Sequence, residues 1–182
     1  MNQHIQRICS SLQGLSAPLS DDAVRELLQE LSEYEEELRG YERFEEKSYC
    51  RNRIYQNEFV DLLLLCWRSS QRTPIHNHAG STCGVYVMRG EACEIPFAPS
   101  PVGLLIPKAA IQLHVGDITI SADSDAHLVG NFAGPAQDLV TLHCYSPPLT
   151  SMRVFEEKDT FFARYEEIID AASSSGCYHV EL

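Results

Sequence analysis

His76 and His78 stand one residue apart in the stretch P-I-H-N-H-A-G-S-T-C-G-V-Y-V-M-R-G, residues 74–90. In an extended strand, residues i and i+2 leave the same face, so both imidazoles point the same way. Neutral imidazoles that converge on one face can ligate a metal ion. A third ligand is then needed, and the chain offers His4, His114, His127, His143 and His179. His4 and His179 lie near the chain ends, where a solvated side chain is expected. His114 falls in an alternating strand pattern and reads as structural. His127 lies in G-D-I-T-I-S-A-D-S-D-A-H-L-V-G-N, residues 116–131. A structural zinc site is the other use for such a pair, but zinc of that kind usually closes four positions with protein ligands.

Thr141, His143 and Tyr145 form a second group: they occupy alternate positions of one strand pattern and so face one side.

These side chains need a rigid frame, and the pattern of the chain supplies one. Residues 1–45 read as helical: Ile5, Ile8, Leu12 and Leu15 recur at helical spacing. Ser20-Asp21-Asp22 offers N-cap chemistry before Val24, Leu27, Leu28 and Leu31. Glu33, Glu35, Glu36 and Glu37 are expected on a solvated helix face. From residue 48 the texture becomes strand-like. Strands are expected at 49–56, 91–98, 102–106, 111–115, 118–121, 126–132 and 139–145, with 59–67 an apolar run suited to a strand covered on both faces. Gly116-Asp117 and Gly134-Pro135 are turn signals. Short strands at even spacing imply a β-sandwich or barrel. Ser146-Pro147-Pro148 ends the last clear strand, and one of its X-Pro bonds could be cis. Residues 160–172 form either a closing strand or a helix, with Phe161, Tyr165 and Ile168 closer to the helical period. Residues 173–176 look like a loose tail. No repeat or long linker divides the chain, so 1–182 is expected to be one domain: a helical cap (1–45), a barrel (48–150) and a C-terminal extension (151–182).

Composition excludes several function classes. A net charge of −12 with only 14 Lys and Arg argues against nucleic acid or an anionic membrane surface as partner. The N-terminal residues lack a signal-like apolar run, and the longest apolar run, 62–67, is too short to span a bilayer. Seven cysteines without a C-x-x-C pair do not suggest a disulfide framework. Cys9, Cys50, Cys66, Cys93, Cys144 and Cys177 read as ordinary thiols in a reducing, cytoplasmic setting.

The H-x-H pair leading to Gly90, followed by Gly116 and His127-x-x-x-Asn131, resembles the two-motif pattern of the cupin superfamily. Members usually place a Glu between the pair and the closing Gly; here Cys83 stands at the comparable position. That departure, with Tyr49-x-Arg51-Asn52, Leu65-Cys66-Trp67, His127-x-Val129-x-Asn131 and Leu142-His143-x-Tyr145-Ser146-Pro147-Pro148, resembles the thiol dioxygenases, above all the cysteine dioxygenase family. The likeness runs from about residue 49 to residue 148.

The resemblance implies a mainly β cupin fold, a small antiparallel barrel with an N-terminal α-helical cap. It implies that His76, His78 and His127 bind Fe(II), and that the substrates are L-cysteine and dioxygen, with cysteine sulfinic acid as the product. Arg51 would hold the substrate carboxylate, with Tyr49, Leu65 and Trp67 about the substrate. His143 and Tyr145, with Thr141 where the family has Ser, would form a hydrogen-bond relay. Cys83 and Tyr145 match residues that become joined by a thioether bond in some members. A monomer is expected. Enzymes for 3-mercaptopropionate typically carry Gln at the position of Arg51, so another small thiol, that one or cysteamine, is the nearest alternative. A non-catalytic metal-binding cupin is the alternative from a different class.

Overall fold

The computed structural model describes residues 3–121, 126–134, 136–155 and 160. The expectations for 161–176, for His179 and for Cys177 lie outside the described residues.

Three helices come first: α1 (Gln3–Ser11), α2 (Asp21–Ser32) and the short α3 (Glu35–Leu38). Ser20 caps α2, its hydroxyl accepting from Ala23 N–H at 3.3 Å. Asp21 and Asp22 place negative charge at the positive end of the helix dipole. The acidic cluster is not simply solvated. Glu37 accepts the backbone N–H groups of His4 and Ile5, capping α1 from a distance. Glu35 accepts the Tyr86 hydroxyl. His4, expected to be free, stacks on Tyr34 at 4.5 Å and lies 2.7 Å from Glu37. Its neighbours pin it because α1 is stapled to the segment around α3.

Among the described residues eleven strands follow: β1 (Cys50–Gln56), β2 (Asp61–Trp67), β3 (Ile75–His76), β4 (Thr82–Arg89), β5 (Ala92–Pro99), β6 (Leu105–Pro107), β7 (Ile111–Leu113), β8 (Ile118–Ser121), β9 (Ala126–Gly130), β10 (Leu139–Ser146) and β11 (Val154–Phe155). They form two antiparallel sheets. One has the order β1-β2-β10-β4-β8; the other runs β11-β3-β9-β5-β6, with β7 added to β5. This is the mainly β cupin barrel with an N-terminal helical cap that the resemblance implied.

Some strands are shorter than their patterns suggested, and local turns explain why. β2 starts at Asp61 because Asn57 Oδ1 accepts from both Phe59 and Val60 N–H. β6 starts at Leu105 because residues 100–104 close a turn through Ser100 and Gly103, the latter at φ +82°. β7 stops before His114, whose N–H donates to Asp117 Oδ2 at 2.7 Å. His114 is therefore exposed rather than structural. The Ser146–Pro147 peptide is cis.

The central strands of the five-stranded sheet, β2, β10 and β4, are buried on both faces, which is why β2 reads D-L-L-L-L-C-W without alternation. Leu62, Leu64, Cys66, Tyr86, Met88, Val140, Leu142 and Cys144 face the helices and pack on Ile5, Val24, Leu27, Leu28 and Leu31. Leu63, Leu65, Trp67, Cys83, Val85, Val87, Leu139 and Tyr145 face the barrel interior. Gly84 lets α2 come this close: a Cβ there would sit 2.5 Å from Val24 Cγ1. A second cluster, around Ile95, Phe97, Leu105 and Leu128, belongs to the six-stranded sheet and lies on the face opposite to His127 and Val129. Of the described cysteines, Cys9, Cys50, Cys66, Cys83 and Cys144 are free thiols. Cys93 on β5 is disulfide-bonded, against the expectation of an ordinary thiol.

Candidate metal centre and substrate cavity

β3 and β9 pair so that His76 and His127 are direct cross-strand partners. His78 lies beyond the end of β3 rather than on a continuous strand. It nevertheless turns inward, because Ser81 N–H closes a turn on its carbonyl at 3.0 Å. Ring centroids are 4.7 Å apart for His76–His127 and for His78–His127, and 5.5 Å for His76–His78. All three rings are buried, and one potential ligand atom from each lies within 4.8 Å of the others.

Hydrogen bonds fix which nitrogen faces the centre. His76 Nδ1–H donates to the Pro74 carbonyl at 3.0 Å, leaving Nε2 for the cluster. His127 Nδ1–H donates to Glu94 Oε1 at 2.7 Å. His127 Nε2 and both nitrogens of His78 are buried without a hydrogen-bond partner among the described residues. Buried polar atoms normally find a partner, and three convergent imidazoles with lone pairs to spare suit a cation. Burial, reinforced by His127, pushes His76 down to about 4. Burial, with His127 and His76 beside it, pushes His78 down to about 3. Both are thus neutral, ligand-ready bases at neutral pH. These residues fit the implied divalent metal.

Glu94 is the residue that sequence reasoning missed. It lies on β5 between Cys93 and Ile95, itself buried, and it contacts a histidine 33 residues away. A lone carboxylate within an apolar run was the available signal. Its effect is to bring back, one bond further out, the negative charge that the ligand set lacks.

Beside the histidines lies a cavity of about 240 Å³. Tyr49, Arg51, Leu65, His76, Cys83, His127, His143 and Tyr145 line it, together with Thr73, Pro74, Val129 and Met152, which the sequence did not single out. Trp67, expected near the substrate, does not line it. The indole stacks behind Tyr49 at 4.3 Å and donates from Nε1 to Thr141 Oγ1 at 2.9 Å. Thr141 Oγ1 is 2.9 Å from His143 Nε2, and His143 Nδ1 is 3.3 Å from the Tyr145 hydroxyl. The expected trio therefore forms one chain of contacts, with Trp67 at its far end.

Tyr145 on β10 is in register with Cys83 on β4, and both side chains line the cavity. Burial, with Cys83 adjacent, holds the Tyr145 phenol well above its usual range. Burial also pushes the Cys83 thiol strongly up, and burial with Arg51 nearby holds His143 well below its usual value. All three are uncharged at neutral pH. Arg51 lies over the Tyr145 ring, 5.4 Å from its centroid, and no carboxylate among the described residues pairs with it.

A curled antiparallel barrel with three histidines converging inside it defines a metal-binding cupin, or double-stranded β-helix, protein. The same fold occurs in a Klebsiella pneumoniae structure described as an uncharacterized conserved protein with a double-stranded beta-helix domain. It superposes with a TM-score of 0.53 at 18% identity, covering 65% of this chain and 88% of the other. More specifically, the chain belongs to the family described as cysteine dioxygenase type I, whose model matches residues 8–158. It is 26% identical over 165 residues to cysteine dioxygenase type 1 of Danio rerio, covering 84% of this chain and 82% of that protein. It is 29% identical over 122 residues to cysteine dioxygenase type 1 of Homo sapiens. There the match covers 65% of this chain and 60% of the human protein.

Proposed function

We propose that this chain is an Fe(II)-dependent thiol dioxygenase that converts L-cysteine and dioxygen to cysteine sulfinic acid. The observation that carries the reading is Arg51, a guanidinium without a carboxylate partner among the described residues, at the rim of the three-histidine cavity and over Tyr145. In a protein of net charge −12, such a cation is what makes an anionic amino acid acceptable. Membership of the cysteine dioxygenase type I family supports the same substrate.

The reaction adds both oxygen atoms to sulfur (RSH + O2 → RSO2H), so it needs no further reductant. Ferrous iron, when bound, supplies the one-electron chemistry that lets dioxygen react with a thiol. The protein's residues orient and balance charge. His76, His78 and His127 are the metal ligands. Arg51 takes the substrate carboxylate in two parallel hydrogen bonds, with Tyr49 and Leu65 shaping the space around it. Tyr145, supported by His143 and Thr141, places a hydroxyl against the reacting groups. Trp67 acts from behind rather than on the substrate. Cys83 and Tyr145 are poised for the thioether bond: one hydrogen leaves the thiol and one the phenol ring, and two electrons pass to dioxygen. The chain acts as a single-domain monomer in the cytoplasm, without nucleic-acid or membrane partners. Among the described residues no helix is long and apolar enough to cross a membrane.

The test is to reconstitute the protein with Fe(II), add L-cysteine in air, and follow the sulfinate by NMR and oxygen uptake. L-Cysteine should exceed 3-mercaptopropionate and cysteamine in kcat/KM. A preference for 3-mercaptopropionate would reassign the substrate and the role of Arg51. Tightly held zinc with no sulfinate formed after iron loading would sink the reading altogether.

A further inference from the structure

We propose that the Trp67 indole sets the direction of the hydrogen bonds through Thr141 and His143, so that Tyr145 presents its O–H to the cavity as a donor. The argument begins with a group that has only one option. An indole N–H donates and cannot accept, so Thr141 Oγ1, 2.9 Å from Trp67 Nε1, is an acceptor in that contact. The single proton of the Thr141 hydroxyl then needs an acceptor of its own. His143 Nε2, at 2.9 Å, is the partner that the described residues offer.

The opposite arrangement would have His143 Nε2–H and Trp67 Nε1–H both donating to Thr141. The threonine O–H would then be left without an acceptor at a fully buried position, and an unmade buried bond costs more than a made one contributes. His143 Nε2 is therefore the acceptor. A neutral imidazole carries one N–H, and burial with Arg51 nearby keeps His143 neutral. The proton consequently sits on Nδ1, 3.3 Å from the Tyr145 oxygen. Tyr145 accepts from His143, and its own O–H turns away from His143, toward the cavity that Tyr145 lines.

Nothing else is needed to hold the first member in place. The indole is fully buried and clamped by the Tyr49 ring at 4.3 Å and 19°. Thr141 lies diagonally across from Trp67 in the β2–β10 ladder, where Trp67 pairs with Leu139 and Leu65 with Thr141. Trp67 is thus a positioning residue that never touches the ligand. The consequence for chemistry rests on the thiol dioxygenase reading: Tyr145 serves the bound sulfur or oxygen as a hydrogen-bond donor rather than as a proton acceptor.

The tautomer of His143 decides the matter and can be read without turnover. The full chain is labelled with 15N-histidine, loaded with diamagnetic Zn(II), and examined by long-range 1H–15N correlation at neutral pH. The His143 signals are identified by their loss in His143→Gln. The expected pattern is a protonated Nδ1 and an unprotonated Nε2. Trp67→Phe keeps a ring against Tyr49 but removes the donor, and should lose the dominance of the Nδ1–H form, with Nε2–H signal appearing. Thr141→Ser, which retains the hydroxyl, should keep the wild-type pattern. If Trp67→Phe does not fold, Thr141→Val carries the same expected loss. An Nε2–H tautomer in the wild-type protein would overturn the proposal, as would a Trp67→Phe or Thr141→Val spectrum that keeps the wild-type pattern. Because no thiol is present, a wrong substrate assignment leaves the result unaffected.

Discussion

The two faces of the five-stranded sheet are made from the same strands yet obey different rules. On the face toward the helices, Leu62, Leu64, Val140, Leu142 and Cys144 meet Val24, Leu28 and Leu31 in an apolar seam. On the inner face, one residue out of phase, Leu65, His143, Tyr145 and Cys83 border the three-histidine cavity, and Thr141 sits behind His143. The outer face needs only volume and apolarity, so many residues would serve there. The inner face needs particular atoms at particular distances, and it carries buried polar groups whose partners are assigned one by one. Stability and chemistry are thereby separated by a single step along each strand.

That separation can be broken most directly at a metal ligand. His78→Ala removes an imidazole whose two buried nitrogens have no partner among the described residues. Iron content after reconstitution should fall to background and sulfinate formation should disappear. The loss should exceed the roughly 10–100-fold expected for an outer-shell partner. The folding midpoint of the metal-free protein should change little by comparison. The contrasting substitution is Leu28→Ala on α2, fully buried in the seam. It should destabilise the protein by about 2–5 kcal/mol, read as a lower urea midpoint, while KM for cysteine stays at the wild-type value. A large KM change in Leu28→Ala would show that the two faces are coupled.

The sequence carried the helical cap and most strand positions well, because both rest on periodicity. The run at 59–67, the cap signal at Ser20 and the alternation through Thr141, His143 and Tyr145 were all visible in the residues. It carried less where a contact joins residues far apart in the chain. Nothing local tells that Glu94 reaches His127, or that Trp67 reaches Thr141 rather than the substrate. The strand ends at 59–60, 102–104 and 114–115 were misplaced for a different reason. Single side chains there, Asn57, Ser100 and Asp117, capture backbone N–H groups that a ladder would otherwise use. His78 joins His76 by a route that strand alternation does not describe, since it lies past the end of β3 in a turn closed by Ser81.

Glu94 sharpens the inner side of the comparison. Three imidazoles alone would leave the metal charge to be balanced by the ligand, but the carboxylate behind His127 shares that task. Glu94→Gln preserves an oxygen that can accept from Nδ1 while removing the charge. Metal affinity, measured by chelator competition, should drop roughly tenfold to a hundredfold. Unchanged affinity would mean that the hydrogen bond matters and the charge does not.

The smallest expected effect falls at the rim, where the inner face meets solvent. Arg51 is exposed and contributes little packing, so Arg51→Lys should leave stability within about 0.5 kcal/mol. What changes is geometry: an ammonium keeps the charge but cannot form the paired fork to a carboxylate. Losing one charge-assisted hydrogen bond, about 1.5–3 kcal/mol, should raise KM for L-cysteine roughly tenfold or more, with kcat less affected. Cysteamine, which has a thiol and an amine but no carboxylate, provides the internal control. Its KM should be indifferent to the substitution, because the guanidinium has nothing on that ligand to grip. If both thiols lose affinity equally, Arg51 acts through the general field of the cavity or through the Tyr145 ring beneath it. Carboxylate recognition would then have to be sought among the other residues that line the site.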